Sequence, residues 1–140
     1  MRKIAGRFAR KILLDPCINM KVLVTGGTGF IGAVLVPLVL EAGHKVTVLD
    51  NLLYRQNTIL SHFINPRFEF IHADVRDAAA VREAMRGVDM VVHLAALVGA
   101  PVCEQHKQLA EEVNGGGTRN ILESCSPEQP ILFASTGSNY

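Results

Sequence analysis

KVLVTGGTGFIG, residues 21–32, is the stretch on which the fold turns. Its opening, Val22-Leu23-Val24, is a short apolar run rich in β-branched side chains and reads as a buried strand. Gly26, Gly29 and Gly32 follow at the spacing of a strand-to-helix turn that cradles a dinucleotide. The three glycines answer three steric demands: a tight turn, the approach of backbone N–H groups to a pyrophosphate, and the close lie of helix on strand. The unpaired N–H groups and partial positive charge of the helix N-terminus would then face the phosphates. A tight turn that binds nothing is the alternative, and the residues downstream weigh against it.

After Gly32 the apolar run AVLVPLVLEAG predicts a helix over about Phe30–Ala42, stopped by Gly43. Pro37 lies inside it at a cost of about 3 kcal/mol, but the apolar residues on both sides must be buried, so the helix is kept. A second strand, Lys45–Leu49, ends in Asp50, 21 residues beyond Gly29. A carboxylate there can accept both hydroxyls of an adenosine ribose and would repel a 2′-phosphate, which favours NAD over NADP. An ATP-type loop is disfavoured, because Ala33 and Val34 stand where it needs Lys and Ser or Thr.

Strands and helices then alternate, the pattern of an α/β, doubly wound parallel sheet with expected strand order 3-2-1-4-5. Asn51–Ser61 reads as a loop entering a short helix, and Phe68–His72 as the third strand. Ala78–Met85 is a helix with Asp77 as N-cap and Gly87 as its stop. The fourth strand, Met90–Leu94, runs into Ala95 and Ala96, whose small side chains leave room for a flat ring or a ribose. One long helix is expected over about Glu104–Cys125, weakened by Gly115, Gly116 and Gly117, and a fifth strand over Ile131–Ala134. Asp50, Asp74, Ala95 and Thr136 would thereby converge on the glycine turn at one edge of the sheet.

With 49% hydrophobic residues among 140, the chain can bury a sizeable core as one domain. A net charge of +1 leaves no nucleic-acid footprint, and no nucleic-acid partner is expected. Cys17, Cys103 and Cys125 lack metal or redox spacing, which fits a reducing compartment. No apolar stretch reaches the roughly 20 residues of a membrane span, so a soluble, cytoplasmic protein is expected. Charge is uneven, however: residues 1–19 carry Arg2, Lys3, Arg7, Arg10 and Lys11 against Asp15 alone. Ile4, Phe8, Ile12 and Leu13 recur there at helical spacing. Residues 1–19 read as a basic extension, either upstream of a start at Met20, which directly precedes the first strand, or a targeting or partner-binding helix.

TGGTGFIG, VTVLDNL, HADVRD, VVHLAALVG, VNGGGTRNILE and FASTGSNY, in that order, resemble the N-terminal half of the extended short-chain dehydrogenases. Among these the NAD-dependent nucleotide-sugar epimerases and dehydratases are the most similar, and the resemblance covers residues 20–140. It implies an NAD-binding Rossmann domain, incomplete relative to the family, acting by transient hydride transfer between a nucleotide-sugar substrate and NAD. By the same resemblance Gly26, Gly29 and Gly32, with Phe30 and Ile31, match the pyrophosphate contacts. Asp50 and Asn51 match those to the adenosine ribose, Asp74 and Val75 those flanking the adenine. Leu94, Ala95 and Ala96 match the run along the nicotinamide-side ribose, and Asn114, four residues before Thr118, a buried asparagine that props the active site. Thr136 matches the catalytic Ser or Thr.

One departure outweighs the others. The family's general base is a Tyr followed four residues later by Lys, and no Tyr-x-x-x-Lys occurs here. Tyr140 matches a tyrosine of the Thr136 motif, not the base, and Tyr54 is followed by Thr58. The sugar-binding portion is also absent. The expectation is therefore the cofactor side of an active site, with two alternatives: a stand-alone dinucleotide-binding module, or an inactive truncated fragment. An apolar fifth strand left as the sheet edge would invite a homodimer or a completing chain. Gly115–Gly117 reads as a weakened helical turn or a point of close packing, and His93 as a structural residue at a strand end.

Overall fold

The computed structural model describes residues 19–135. The basic segment 1–18 and the motif residues 136–140 lie outside the described residues. Strand β1 (Lys21–Thr25) is the centre of a five-stranded parallel sheet, flanked by β2 (Lys45–Asp50) and β4 (Met90–His93). Beyond them lie β3 (Phe68–His72) and β5 (Ile131–Phe133), giving the expected order β3-β2-β1-β4-β5.

Alternation along the strands divides the interior into two cores. Val22 stands opposite Val46 and Met90, and Val24 opposite Val48 and Val92; this row packs against Val36 and Val39 of helix α1 (Phe30–Glu41). Leu23, Leu49 and Val91 point to the other face. There they meet Val81 and Ala84 of α2 (Ala78–Ala84) and Ile121 of α5 (Thr118–Ser124). A strand covered on both faces needs a continuous apolar run, not an alternating one, which is why Val22, Leu23 and Val24 are all fully buried. Each such side chain stabilises the fold by about 1.5–3 kcal/mol.

Asp77 caps α2 as expected, its Oδ1 accepting the N–H groups of Ala79 at 2.9 Å and Ala80 at 3.1 Å. Between β2 and β3 the chain forms only a single 3-10 turn, Leu60–His62. Helix α1 runs through Pro37 unbroken. The expectation that its whole apolar run is buried is corrected. Gly32, Val36, Val39 and Leu40 are buried, whereas Phe30 (89% exposed), Ile31, Val34 and Leu38 face outward. A helix lying on a sheet can bury one stripe only, and α1 is apolar all round.

The single long helix is also corrected. It begins earlier, at α3 (Ala100–Gln105), continues as α4 (Lys107–Ala110), widens into a π-helical turn over Glu111–Gly117, and closes as α5. The break is at His106, whose φ of −128° and ψ of 50° are not helical. Pro101, in the first turn of α3, marks the true start.

Candidate functional site

The glycine turn is assembled by backbone contact. Gly26 adopts φ +69°, and a Cβ on it would lie 2.6 Å from Ala95 N. The turn is thus pressed against the chain leaving β4, and only glycine satisfies both conditions. A Cβ on Gly32 would overlap Gly27 O, so the first turn of α1 rests directly on the loop. The first helical hydrogen bond of α1 runs from Ala33 N to Gly29 O at 2.9 Å. The N–H groups of Phe30, Ile31 and Gly32 come before it and carry the helix's partial positive charge.

Those amides open on a cleft of about 390 Å³, a size usual for small-molecule sites. Gly26, Gly29, Phe30, Ile31 and Gly32 line it from the turn; Asp50 and Asn51 from the end of β2; Asp74 and Val75 from beyond β3. Leu94, Ala95 and Ala96 line it from the exit of β4. The topology thus gathers twelve of the expected residues at one sheet edge. Asn114 is not among them: it is exposed on the π-helical turn and fastens Leu97 instead. Thr136 lies outside the described residues. Thr28, Tyr54, Leu97 and Val113 also line the cleft without having been singled out. Thr28 sits within the glycine motif and could have been read there, whereas Tyr54 comes from an irregular loop that has no periodic signal.

Two carboxylates face the cleft, and each is oriented. Asp50 Oδ2 accepts the Thr28 N–H at 3.0 Å and its Oδ1 the Leu52 N–H at 2.8 Å, leaving a lone pair on each oxygen for a ligand hydroxyl. Asp74 is gripped by Arg76, Nε to Oδ1 at 3.0 Å and Nη2 to Oδ2 at 2.9 Å, and receives Asn51 Nδ2 at 2.9 Å. The Arg76 hydrogen bonds lead the causes that lower the Asp74 carboxyl to about 2, against the opposing effect of burial. Arg76 reaches on to Glu112 at 3.0 Å and so ties the loop after β3 to the π-helical turn.

At the exit of β4 the contacts are made by side chains. His93 is buried; its Nδ1 lies 2.6 Å from Thr25 Oγ1 and its Nε2 3.0 Å from Thr118 Oγ1. Burial pushes the imidazole pKa down, so the neutral ring is favoured. Thr25 Oγ1 also accepts the Ala95 N–H at 3.3 Å, and Thr118 Oγ1 donates to Asn114 O at 2.6 Å. The Asn114 side chain accepts the Leu97 N–H at 2.8 Å and donates to Leu97 O at 2.9 Å. Gly117 explains part of the glycine run: a Cβ there would lie 2.6 Å from Val75 Cγ2, whereas Gly115 and Gly116 have open space. Among the described residues no cluster of His, Cys, Asp and Glu could hold a metal ion, and no helix is long and apolar enough to cross a membrane.

Comparison with known proteins matches residues 22–140 to the NAD dependent epimerase/dehydratase family. The chain is 37% identical over 123 residues to 3 beta-hydroxysteroid dehydrogenase/Delta 5-->4-isomerase of Mycobacterium tuberculosis, covering 85% of this chain and 32% of that protein. It resembles the Thermus thermophilus UDP-glucose 4-epimerase solved as a complex with NAD. The TM-score is 0.66 and the identity 38%, over 76% of this chain and 33% of that one. It also resembles the dTDP-glucose 4,6-dehydratase DesIV of Streptomyces venezuelae, solved with NAD and TYD bound. There the TM-score is 0.69 and the identity 35%, over 75% of this chain and 35% of that one. The chain spans about a third of the length of the curated relatives it matches.

Proposed function

The chain belongs to the NAD dependent epimerase/dehydratase family, and from that premise we propose that residues 20–140 are its cofactor-holding portion and bind NAD. The observation that carries the reading is the pairing of Asp50 with the glycine turn: the carboxylate is fixed 3.0 Å from the Thr28 amide, beside the unpaired amides of α1. Phe30, Ile31 and Gly32 N–H would hold the pyrophosphate. Asp50, with Asn51, would hold the adenosine ribose and disfavour a 2′-phosphate. Asp74 and Val75 would flank the adenine, and Leu94, Ala95 and Ala96 the nicotinamide-side ribose. NAD bound there would supply a hydride acceptor. Its retention depends on groups the chain already orients.

Proton transfer is a different matter. Thr136 can offer a hydroxyl to a sugar oxygen, but the 140 residues hold no Tyr-x-x-x-Lys base. We therefore assign these residues cofactor binding without hydride exchange of their own, the role of a dinucleotide-binding module. A nucleotide sugar is the substrate class we propose from the family alone. The relatives include a UDP-glucose 4-epimerase, a dTDP-glucose 4,6-dehydratase and a steroid dehydrogenase, so substrate choice rests with sequence beyond the shared third. A cytoplasmic location, supported by the free thiols of Cys103 and Cys125, and a second copy or completing chain at β5, where Phe133 is exposed, belong to the same proposal.

Calorimetric titration with NAD and NADP tests it. The wild type should bind NAD in preference to NADP, and Asp50→Ala should weaken NAD about tenfold or more, the equivalent of ~1.4 kcal/mol. Equal binding of both dinucleotides, or of NAD by wild type and variant, would sink the reading.

A further inference from the structure

Five polar groups run in line behind the cleft wall. Asn114 O is a carbonyl and can only accept, so the 2.6 Å contact uses the single hydroxyl proton of Thr118. Thr118 Oγ1 must then accept from His93, which places a proton on Nε2 at 3.0 Å. In a neutral ring Nδ1 is an acceptor, so the 2.6 Å contact uses the hydroxyl proton of Thr25. With its proton committed, Thr25 Oγ1 is free to accept the Ala95 N–H at 3.3 Å. Every proton has one position, and each assignment forces the next.

We propose that this relay, from Asn114 O through Thr118, His93 and Thr25 to the Ala95 N–H, is a positioning device that sets the nicotinamide-side wall of the cleft. The inference rests on the cofactor reading above, and His93 acts in it through Thr25 and touches no ligand. Both ends of the wall segment return to one residue. Ala95 is reached through the relay, and Leu97 is clamped by the Asn114 amide at 2.8 and 2.9 Å. The Gly26 backbone also lies against Ala95, a Cβ on Gly26 falling 2.6 Å from Ala95 N, so the relay and the glycine turn meet at the same amide. The groups facing the ring are the hydroxyls of Thr25 and Thr118 and the Phe133 ring, 5.8 Å away between centroids. Among the described residues no salt bridge involves His93. The π-helical turn serves the relay by placement: Thr118 N–H is directed to Gly115 O, so its hydroxyl can take the carbonyl of Asn114.

The test uses the full chain and three readouts. Long-range proton–nitrogen NMR should find the His93 ring protonated on Nε2 alone at neutral pH. Thr25→Val, which keeps shape and removes both hydrogen bonds of the hydroxyl, should speed amide exchange at Ala95 and weaken NAD, each about tenfold or more. Thr25→Ser should restore both. If Thr25→Val fails to fold, Thr118→Val cuts the relay from the half-buried α5 side and should give the same exchange pattern. A proton on Nδ1, or unchanged Ala95 exchange and NAD affinity in a folded Thr→Val variant, overturns the proposal. A wild type that binds no dinucleotide overturns the cofactor reading and, with it, the wall-setting role. The ring proton and Ala95 exchange would then judge the hydrogen-bond relay alone.

Discussion

The glycine turn and the exit of β4 touch where Gly26 faces the Ala95 backbone, yet they are held in opposite ways. The turn is fixed by the absence of side chains: a positive φ at Gly26 and a helix seated on Gly27 O. The exit is fixed by side chains arriving from β1, from α5 and from the π-helical turn. A local device of this kind is written in contiguous residues, and a dispersed one is not. The first tolerates no added atom; the second tolerates no lost hydrogen bond.

Substitutions can break each region separately. Gly26→Ala should have the largest effect, combining a left-handed backbone cost of about 1–2 kcal/mol with overpacking of about 1–3 kcal/mol against Ala95. Urea unfolding would measure it, and a change below ~1 kcal/mol would mean that the turn is looser than its geometry. Asn114→Ala strikes the exit: the Leu97 N–H loses its partner and Leu97 O keeps only the Cys103 thiol at 3.4 Å, so about 1–3 kcal/mol should be lost. Amide exchange should accelerate at Leu97 but not in the turn, and acceleration at Gly26 would show that the two regions are one unit.

Smaller effects sharpen the contrast. Asp77→Ala removes the cap of α2 and should cost about 1 kcal/mol while leaving NAD titration unchanged; altered affinity would connect α2 to the site. Acid should separate the exit of β4 from the wall of the cleft that β3 supplies. His93, at the exit, has its pKa lowered from 6.5, so below that value the unfolded chain binds a proton the folded chain resists. Stability should then fall as pH falls through 6.5 and toward the folded value. Asp74, held by Arg76 in the loop after β3, is lowered from 3.8 to about 2; its contribution is complete above 3.8 and lost as pH falls through about 2. Urea midpoints against pH for the wild type, His93→Gln and Asp74→Asn would resolve the two steps, and a single step in all three would contradict the assignment.

The same division explains how much could be read from the chain. The strand order was legible because β1 is a run with no polar break and the connections alternate with it. The turn, Asp50 and the Asp77 cap are each defined within a few residues. The segment from Ala100 to Ser124 was not legible as drawn, because its path answers distant partners: Asn114 holds Leu97, 17 residues away, and Gly117 packs on Val75. The outward apolar face of α1 was misjudged for a related reason. Periodicity says which residues could be buried, and the neighbouring elements decide which are. Thr25 was a usable sign, since a hydroxyl ending an apolar strand needs a buried partner.

Parallel pairing also imposes an order of events. β1 meets β2 across about two dozen residues, as Thr25 meets Leu49, but meets β4 across 68, as Thr25 meets His93. Loop closure of the longer span costs ~0.9 kcal/mol more entropy, so the β1–α1–β2 half has the earlier kinetic claim. A refolding chain would therefore hold a paired β1–β2 unit while its β4 wall was still unplaced, and only afterwards would the His93 ring be seated between the hydroxyls of Thr25 and Thr118.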